Sequence, residues 1–316
     1  MKVLIIGGAG FLGANLVRWC LGKHDQVTVL DSLDPRLRST VVNLTPVWDR
    51  ITFVRGSMSD EPLIAQLVQS QDLIFNCAAQ TSHPLSIQDP LFDAEINCLG
   101  NLRLLEAIRL LNPRAVVAYA SSSTVVGKAT ASVIDESHSE RPLDIYSANK
   151  GVAEKYYRIY HRVHDLKTVS LRFANLYGPY GKAFPEFGFV NYFIGLAWRH
   201  EPIRIWGPGT QMRNLMFAED AAAILYDAAQ TPALFGESFF AAHTQHLSVL
   251  AIANRIVDGL GRGSVIHSEW PDDRRRIEVD DVAISSQRLK DLTGWQPRHD
   301  FTEGLRKTKL VLEQQS

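Results

Sequence analysis

Three glycines near the start of the chain are spaced as in a turn that binds a dinucleotide. Gly7, Gly10 and Gly13 follow a short apolar run in the pattern G-x-x-G-x-x-G and lead into a helical pattern. Glycines in such a turn let the backbone approach a pyrophosphate, and the N-terminus of the next helix offers unpaired N–H groups and partial positive charge. The pattern predicts a phosphate-binding turn that includes Phe11 and Leu12, with a turn that serves only packing as the alternative.

An acidic residue follows at the distance that such turns require. Asp31 lies 18 residues beyond Gly13, at the end of the second apolar run. A carboxylate there accepts hydrogen bonds from the ribose hydroxyls of adenosine and repels a 2′-phosphate, which favours NAD over NADP. Arg36 and Arg38 follow closely and can bind a phosphate, and a solvated turn aspartate is the alternative interpretation of Asp31.

A tyrosine and a lysine four residues apart are candidates for acid–base chemistry. On a helix, Tyr146 and Lys150 lie on one face, one turn apart. A nearby ammonium group and a positively charged nicotinamide ring would both favour the phenolate and lower the pKa of Tyr146 toward the range of a general base. The hydroxyl residues at 121–124 follow the fifth predicted strand, where an open α/β sheet has its ligand crevice. A surface pair and a solvated polar turn are the alternatives.

Short apolar runs alternate with helical patterns through the first half of the chain. The runs are continuous rather than alternating, as expected of strands buried on both faces of a parallel sheet. This order predicts an α/β fold, a Rossmann-type doubly wound parallel sheet with a smaller mixed α/β C-terminal substrate lobe. The predicted strands are residues 3–6, 26–30, 51–54, 72–76, 115–120 and 168–173, and the predicted helices are residues 11–21, 61–68, 90–111 and 148–163.

The regular alternation of apolar runs and helical patterns ends after residue 173. Residues 175–188 are rich in glycine and proline and lack clear periodicity. We therefore expect residues 1–176 to form an NAD-binding Rossmann domain and residues 177–316 to form the substrate-binding lobe, with segments near 215–243 returning to the first domain. Further helices are predicted at residues 189–199, 219–229, 248–260, 286–292 and 302–313, and a strand at 203–206.

The composition excludes several classes of protein. The 316 residues include 33 Lys plus Arg and 34 Asp plus Glu, a net charge of −1, and 46% are hydrophobic. This rules out a disordered tail and gives no electrostatic reason to expect nucleic acid or a membrane surface as a partner. No apolar run reaches the roughly 18 residues of a membrane span. The three cysteines lack C-x-x-C spacing, so we expect a cytoplasmic protein without a disulfide framework or metal site.

Further motifs occur in a fixed order along the rest of the chain. They are Cys77-Ala78-Ala79-Gln80, Asn97-Cys98-Leu99-Gly100, Arg172-Phe173-Ala174-Asn175 before Tyr177-Gly178-Pro179, residues 207–217, Gly294-Trp295-Gln296-Pro297 and Glu303-Gly304-Leu305. Together with the glycine turn, Asp31, the hydroxyl run and the Tyr146–Lys150 pair, they resemble the extended short-chain dehydrogenases/reductases. Within that family the chain is similar to the nucleotide-sugar epimerase/dehydratase group, over essentially its whole length.

The resemblance implies catalytic roles for Ser122, Tyr146 and Lys150. Tyr146 would take the proton from a sugar hydroxyl, most often at C4, while NAD accepts the hydride from that carbon. Lys150 would hold the nicotinamide ribose and tune Tyr146. Ser122, five residues before Gly127, would hydrogen-bond the reacting oxygen, and its neighbour Ser123 is the alternative by one residue.

The resemblance also implies which residues contact each ligand. The expected NAD contacts are Gly7, Gly10, Phe11, Leu12, Gly13, Asp31, Ser57, Met58, Ala78, Ala79, Gln80, Asn97, Tyr146 and Lys150. The expected contacts of a nucleotide-diphosphate sugar are Ser122, Ser123, Asn175, Arg213 and Arg275. Guanidinium groups suit a diphosphate because their planar fork makes bidentate contacts, although Arg275 also fits a solvated basic turn.

Departures from the family pattern select among its reactions. The 4,6-dehydratases carry an Asp-Glu pair after the catalytic hydroxyl residue, whereas this chain has Ser123 and Thr124, which cannot act as carboxylic acids. Epimerisation at C4 through a transient 4-keto intermediate is therefore favoured by elimination. The alternatives are a nucleotide-sugar 2-epimerase, a 4-ketosugar reductase or a dehydratase of the same family, and a non-catalytic NAD-binding protein. The resemblance also implies a homodimer through the helices predicted at residues 90–111 and 148–163.

Replacement of Asp31 by alanine tests the cofactor assignment. Asp31→Ala removes a charged hydrogen-bond acceptor, so the affinity for NAD should fall by about tenfold. The advantage of NAD over NADP should narrow, because the 2′-phosphate is no longer repelled. Calorimetric titration with each nucleotide measures both dissociation constants, and an unchanged ratio would count against the ribose assignment.

Overall fold

A computed structural model describes residues 1–270, 281 and 283–315. Arg275, expected to bind the substrate, lies outside the described residues. The strands in this part of the chain are β1 (Lys2–Ile6), β2 (Gln26–Asp31), β3 (Ile51–Arg55), β4 (Leu73–Asn76), β5 (Val116–Ser122), β6 (Val133–Ile134), β7 (Lys167–Phe173), β8 (Asn175–Tyr177), β9 (Pro202–Trp206), β10 (Met212–Phe217), β11 (Ser238–Ala241), β12 (His246–Ser248), β13 (Ser264–Ser268) and β14 (Ala283–Ile284).

The α-helices of the same residues include those predicted, with small shifts at most of the ends, and a short helix at His83–Gln88 that was not predicted. They are α1 (Phe11–Gly22), α2 (Glu61–Leu67), α3 (His83–Gln88), α4 (Pro90–Ala94), α5 (Gly100–Leu111), α6 (Ile145–His164), α7 (Phe189–Trp198), α8 (Ala218–Ala228), α9 (Val249–Leu260), α10 (Gln287–Thr293) and α11 (Phe301–Gln315).

The central sheet contains seven of the described strands, in the order β3-β2-β1-β4-β5-β7-β11. Every neighbouring pair is parallel. Residues Val3, Leu4 and Ile5 of β1 have no exposed surface, because helices cover both faces. The chain runs outward in both directions from β1 and β4, so the carboxyl ends of these strands border the crevice in which such sheets bind ligands. The predicted Rossmann-type fold is confirmed.

Helices pack on both faces of this sheet. On one face, Ala14 and Val17 of α1 share a core with Ala221 and Leu225 of α8. On the other face, Leu104 of α5 belongs to a second core, which also contains residues of α6. The alanines of α1 and α8 let these two helices approach closely, since the side chains at a contact set the distance between helix axes.

A segment that follows the start of the second lobe in the sequence returns to the central sheet. β11 pairs in parallel with β7, with Phe239 opposite Leu171 and Phe240 opposite Arg172. Since α8 also packs against α1, the segment from α8 to β11 completes the core of the first half of the chain.

The second lobe consists of α7, α9 and α11 with two small sheets, β12-β10-β8 and β13-β9. Its core contains Ile252 and Ile256 of α9, which lie one turn apart and are fully buried against Ile203 of β9. β8 pairs in parallel with β10, with Asn175 opposite Leu215. This pairing places the start of β8 beside Leu215, two residues beyond Arg213 on β10.

The helix predicted at residues 90–111 is present, with one change in its α-helical hydrogen-bonding pattern. α4 and α5 are separated by a π-helical turn at Glu95–Leu99. Within this turn the side chain of Asn97 is buried and donates a hydrogen bond to the carbonyl oxygen of Gln80 at 2.8 Å. The π-turn spans five residues inside a continuous helical run, too few to show a period of their own, so the pattern did not reveal it.

A tight turn after β5 fixes the run of hydroxyl residues. Ser123–Val126 form a 3-10 turn, and Gly127 follows it with φ at +65°. The N–H of Gly127 donates to the carbonyl oxygen of Thr124 at 3.0 Å. A Cβ atom at position 127 would lie 1.6 Å from the carbonyl oxygen of Arg141, so the turn requires glycine there.

Alanine at position 127 should therefore destabilise the protein. Backbone strain alone costs about 1–3 kcal/mol, and the contact with the Arg141 carbonyl adds to it. Gly22→Ala is the matched control, because Gly22 ends α1 and nothing lies within 4 Å of a Cβ atom there. Urea unfolding measures both changes, and equal effects of the two substitutions would contradict the strained turn.

Candidate active site

The glycine turn lies between the ends of β1, β2 and β4. Gly7 has φ at +78° and donates its N–H to the carbonyl oxygen of Leu30 at 2.7 Å. A Cβ atom on Gly13 would lie 2.2 Å from the carbonyl oxygen of Gly7. The first turn of α1, with Phe11 and Leu12, has no acidic residue, and Gly10 provides no capping side chain. The positive end of α1 is therefore not offset by a side chain of its own, as an anion-binding helix requires.

Asp31 ends β2 and faces the same turn. Its carboxylate accepts hydrogen bonds from the N–H of Ala9 at 3.0 Å, the N–H of Leu33 at 2.9 Å and the hydroxyl of Ser39 at 2.9 Å. The side chain is buried. These three donors fix the orientation of the carboxylate and stabilise its negative charge.

An open cavity of about 560 Å³ lies at this edge of the sheet. The residues that were predicted and that line it are Gly7, Asp31, Ser57, Met58, Ala78 and Ala79. Lining residues that sequence reasoning missed include Ser32, Leu37, Ser39, Ile96 and Lys182. Most of these follow a strand or a predicted contact by a few residues, but Lys182 comes from a distant segment that no local pattern connects to the cavity.

Gln80 and Asn97 are fully buried and do not line this cavity. The Gln80 amide donates to the carbonyl oxygen of Ser82 and to Asp93, both at 2.8 Å. The amide of Asn97 donates to Asp93 at 3.0 Å. Within the described part of the chain, Oδ1 of Asn97 has no hydrogen-bond partner, which leaves one buried acceptor for a water or a ligand group.

The three serines at the end of β5 have different surroundings. Ser121 donates to Glu154 at 2.5 Å. The hydroxyl of Ser122 lies 2.9 Å from that of Thr124, and Ser122 is near enough to Tyr146 to lower the pKa of its hydroxyl. Ser123 begins the 3-10 turn. Of the two serines considered for contact with the reacting oxygen, Ser122 is the one that interacts with Tyr146.

Tyr146 lies in the first turn of α6 and is buried. Burial raises the pKa of Tyr146 above its ordinary value, the charges of Asp144 and Asp93 act in the same direction, and the hydrogen bond from Ser122 opposes them. The lowering of the pKa expected from the sequence is therefore not a property of the polypeptide by itself.

A histidine in the segment after β4 contacts Tyr146. His83 begins α3, and its ring lies edge-on to the Tyr146 ring with the centroids 4.8 Å apart. Nδ1 of His83 is 2.5 Å from the carboxylate of Asp144, which caps α6 through the N–H of Ser147. Burial acts to raise the pKa of Asp144, but His83 and Ser147 outweigh it and hold this pKa below its ordinary value. The helix was missed, although Ser82 as N-cap and Pro84 signal its start.

Lys150 lies one turn beyond Tyr146 and is buried. Its ammonium group donates to the carbonyl oxygen of Ala120 at 2.6 Å and lies 4.3 Å from the centre of the Tyr119 ring. Burial lowers the pKa of Lys150 to about 8, against the opposing effects of Cys77, Glu154 and Asp93. The ammonium group is therefore held at the end of β5, close to the residue that precedes the serines.

A buried cluster of charged residues lies next to Lys150 and the serines of β5. Glu154, one turn beyond Lys150, accepts hydrogen bonds from Arg172 of β7 at 2.6 and 3.0 Å. Arg172 also donates to Glu140 at 2.6 Å. Both members of the central pair are at most 5% exposed, and such charges persist in a protein interior when they are paired and hydrogen-bonded. The cluster ties β5, α6 and β7 together.

Of the residues expected to bind the substrate in the second lobe, Asn175 and Arg213 lie on neighbouring strands. Asn175 is exposed and donates its amide to the backbone carbonyl of Asn214 at 3.1 Å. Arg213 precedes Asn214 on β10 and donates to the carbonyl oxygen of Met212 at 2.8 Å. Asn214 stands where the family pattern has aspartate, and its amide donates to the carbonyl oxygen of His243 at 2.8 Å. A carboxylate could not make that bond, which explains the amide at this position.

The described residues contain neither a metal-ligand cluster nor a helix suited to span a membrane. No cluster of three or more His, Cys, Asp or Glu side chains has the arrangement of a metal site. No helix in the same part of the chain combines the length and the hydrophobicity of a membrane span.

The parallel sheet, the glycine turn and the acidic residue at the end of β2 define a dinucleotide-binding α/β protein of the Rossmann type. The chain belongs to the NAD dependent epimerase/dehydratase family, whose sequence profile matches residues 3–239. The resemblance inferred from the motifs is thereby confirmed.

Individual relatives agree with this assignment over nearly their full length. A UDP-glucose 4-epimerase of Mycolicibacterium smegmatis is 30% identical, covering 98% of this chain and 97% of that protein. A CDP-paratose 2-epimerase of Salmonella typhi is 27% identical, covering 97% of this chain and 98% of that protein. The crystal structure of a UDP-glucose 4-epimerase of Thermus thermophilus in complex with NAD is 27% identical, with a TM-score of 0.85 and 99% of both chains covered.

The residues present fit NAD, the cofactor of the family. A Cβ atom on Gly7 would lie 2.6 Å from the backbone of Ala78, so the turn packs closely without side chains, and the N-terminus of α1 attracts the charge of a pyrophosphate. Asp31 is oriented at the rim of the cavity, where a ribose can donate to it. The residues that would hold NAD are those of the turn, Asp31, the cavity residues Ser57, Met58, Ala78 and Ala79, and the Tyr146–Lys150 pair.

Replacement of the buried lysine has an effect on stability that depends on pH. The pKa of Lys150 is about 8 in the folded chain and 10.5 for an ordinary lysine. At pH 7 the lysine is charged in both states, so its burial costs folding free energy. Between these two pKa values the unfolded chain binds more protons than the folded chain, so stability rises with pH.

Lys150→Met has no charge to bury and should be more stable than the natural protein at pH 7, by roughly 1–3 kcal/mol. This advantage should shrink as the pH rises from about 8 to 10.5, because the natural protein then loses its penalty. Urea unfolding of both proteins at about pH 7 and about pH 10 measures the difference. A difference that does not change with pH would contradict the buried ammonium group.

Proposed function

We propose that the protein epimerises a nucleotide-diphosphate sugar with NAD as cofactor, at C4 of the sugar through a transient 4-keto intermediate. The observation that carries this proposal is the meeting of Ser122, Tyr146 and Lys150 at the carboxyl end of β5. The glycine turn and Asp31 lie at the carboxyl ends of β1 and β2, on the same edge of the parallel sheet as the end of β5, which supports a shared crevice for the cofactor and the reacting groups.

Each of the three residues has a separate task in this proposal. Tyr146 removes the proton from the sugar hydroxyl and later returns it, and Ser122 hydrogen-bonds the same oxygen and holds it in line. Lys150 holds the nicotinamide ribose and supplies positive charge near the phenolate. Bound NAD supplies a hydride acceptor that returns the hydride, together with a positively charged ring.

Substrate binding is assigned mainly to the second lobe. Asn175 is exposed at the start of β8. Arg213 lies on the neighbouring strand β10, two residues before Leu215, which pairs with Asn175. We propose that Asn175 contacts the sugar, that Ser123 lines the sugar site, and that Arg213 and Arg275 bind the diphosphate through bidentate contacts.

The absence of a carboxylate at positions 123 and 124 of the catalytic loop favours epimerisation over dehydration. Thr124 uses its hydroxyl to bind Ser122 at 2.9 Å, and neither residue can shift a proton as an acid at neutral pH. The 4-epimerase of Mycolicibacterium smegmatis supports C4 as the reacting carbon. The 2-epimerase of Salmonella typhi, similar over the whole chain, makes epimerisation at C2 the second candidate.

Three further features complete the proposal. The helices α4 and α6 expose apolar side chains, with Leu91 81%, Ile159 50% and Val163 62% exposed, and we propose that they form a homodimer interface.

We also propose a cytoplasmic location. Residues 1–176, with α8 and β11, would form the cofactor domain, and the rest of the chain would form the substrate lobe.

Product analysis with a panel of UDP-, GDP-, CDP- and dTDP-sugars tests the function. The natural protein should interconvert one pair of C4 epimers without net consumption of NAD. Tyr146→Phe should lower this turnover by at least about 100-fold, the usual contribution of an acid–base group, while NAD still binds. Stoichiometric oxidation of NADH would indicate a reductase instead, and full activity of Tyr146→Phe would exclude Tyr146 as the base.

A further inference from the structure

The segment that follows β8 lies across the cofactor half of the molecule. Asn15 of α1 donates to the carbonyl oxygen of Pro179 at 3.0 Å, and the guanidinium group of Arg18 lies 3.9 Å from the centre of the Tyr180 ring. The guanidinium group of Arg38 lies 4.7 Å from the centre of the Phe184 ring. These contacts hold residues 178–187 against α1 and against the loop that follows Asp31.

Lys182 extends from this segment into the cofactor cavity. Its side chain lines the cavity together with Asp31, and these two are the charged residues among the described lining residues. The ammonium group donates to the carbonyl oxygen of Leu37 and lies 4.4 Å from the centre of the Phe187 ring. Burial lowers the pKa of Lys182 to about 8, while the charge of Asp31 acts to raise it.

The hydrogen bond to the Leu37 carbonyl does not by itself explain why residue 182 is a lysine. One of the three N–H groups of the ammonium binds Leu37, and the described residues provide no acceptor within hydrogen-bonding distance for the other two. A neutral side chain would fill the same space without the cost of removing a charge from water. An ammonium group is suited to a site that receives an anionic ligand, and the cavity is the candidate site for NAD.

We propose that Lys182 is a cofactor-binding residue, supplied by the segment beyond β8, whose positive charge acts at the adenosine-ribose end of the cavity beside Asp31. This inference rests on the proposed use of NAD. Preference between the two cofactors is then the result of two opposite charges, because Asp31 repels a 2′-phosphate and Lys182 attracts it.

Nucleotide binding without any sugar tests this inference. The dissociation constants for NAD and NADP are measured by calorimetry on the full chain after removal of bound nucleotide, for the natural protein, Lys182→Met and Lys182→Arg. Lys182→Met should weaken NAD binding about tenfold, the usual effect of losing a charged hydrogen bond. NADP binding should weaken at least about threefold more than NAD binding, because its 2′-phosphate adds up to two negative charges. Lys182→Arg should keep most of the affinity for both.

Two controls separate a binding role from a structural one. Lys290→Met removes a lysine from the exposed surface of α10 and should leave both constants unchanged. Lys182→Gln can still donate to the Leu37 carbonyl without a charge, so it serves where Lys182→Met fails to fold. Constants of Lys182→Met or Lys182→Gln within twofold of the natural protein would overturn the proposal, including the case in which the melting temperature alone falls. Equal losses in the arginine and methionine variants would also overturn it.

The outcome is independent of the sugar reaction. If no sugar is epimerised but Lys182→Met weakens NAD binding as expected, the cofactor inference is supported and the proposed epimerisation fails. If epimerisation is found and NAD binding does not depend on Lys182, the proposed function stands and this inference is overturned.

Discussion

The buried ion pair between Glu154 and Arg172 is the interaction on which the arrangement of the candidate active site depends. Glu154 lies on the same face of α6 as Tyr146 and Lys150, and it accepts hydrogen bonds from Ser121 of β5 and Arg172 of β7. Breaking a buried pair costs about 3–5 kcal/mol, so the three elements cannot shift independently. The position of Ser122 relative to Tyr146 follows from this constraint, since Ser121 is anchored one residue before it.

Burial of positive charge is the second common theme of the site. Burial brings the pKa of both Lys150 and Lys182 to about 8, and the two ammonium groups approach the cofactor crevice from different parts of the chain. Each would be more stable in water, and each is held by a backbone carbonyl instead. Such an arrangement sacrifices folding stability to prepare a crevice for an anionic ligand.

Most of the fold and part of the site could be predicted from local patterns. The strands of the parallel sheet were predictable because they are buried on both faces and therefore continuously apolar, and the glycine turn and Asp31 were recognisable by spacing. The π-turn at Glu95–Leu99 and the short helix after Ser82 were missed. A π-turn of five residues and a helix of six residues both have too few positions to show a period of their own.

The sequence by itself determined the strands of the first half of the chain and most of the helices, and it identified the glycine turn, Ser122, Tyr146 and Lys150 as candidates, because these depend on residue type and short spacing. The tertiary structure decided which serine hydroxyl interacts with Tyr146, that the pKa of Tyr146 is raised by burial, and that His83, Glu154 and Lys182 surround the site. These features join residues far apart in the chain. Burial and long-range contact arise when the chain packs, and no local pattern records them.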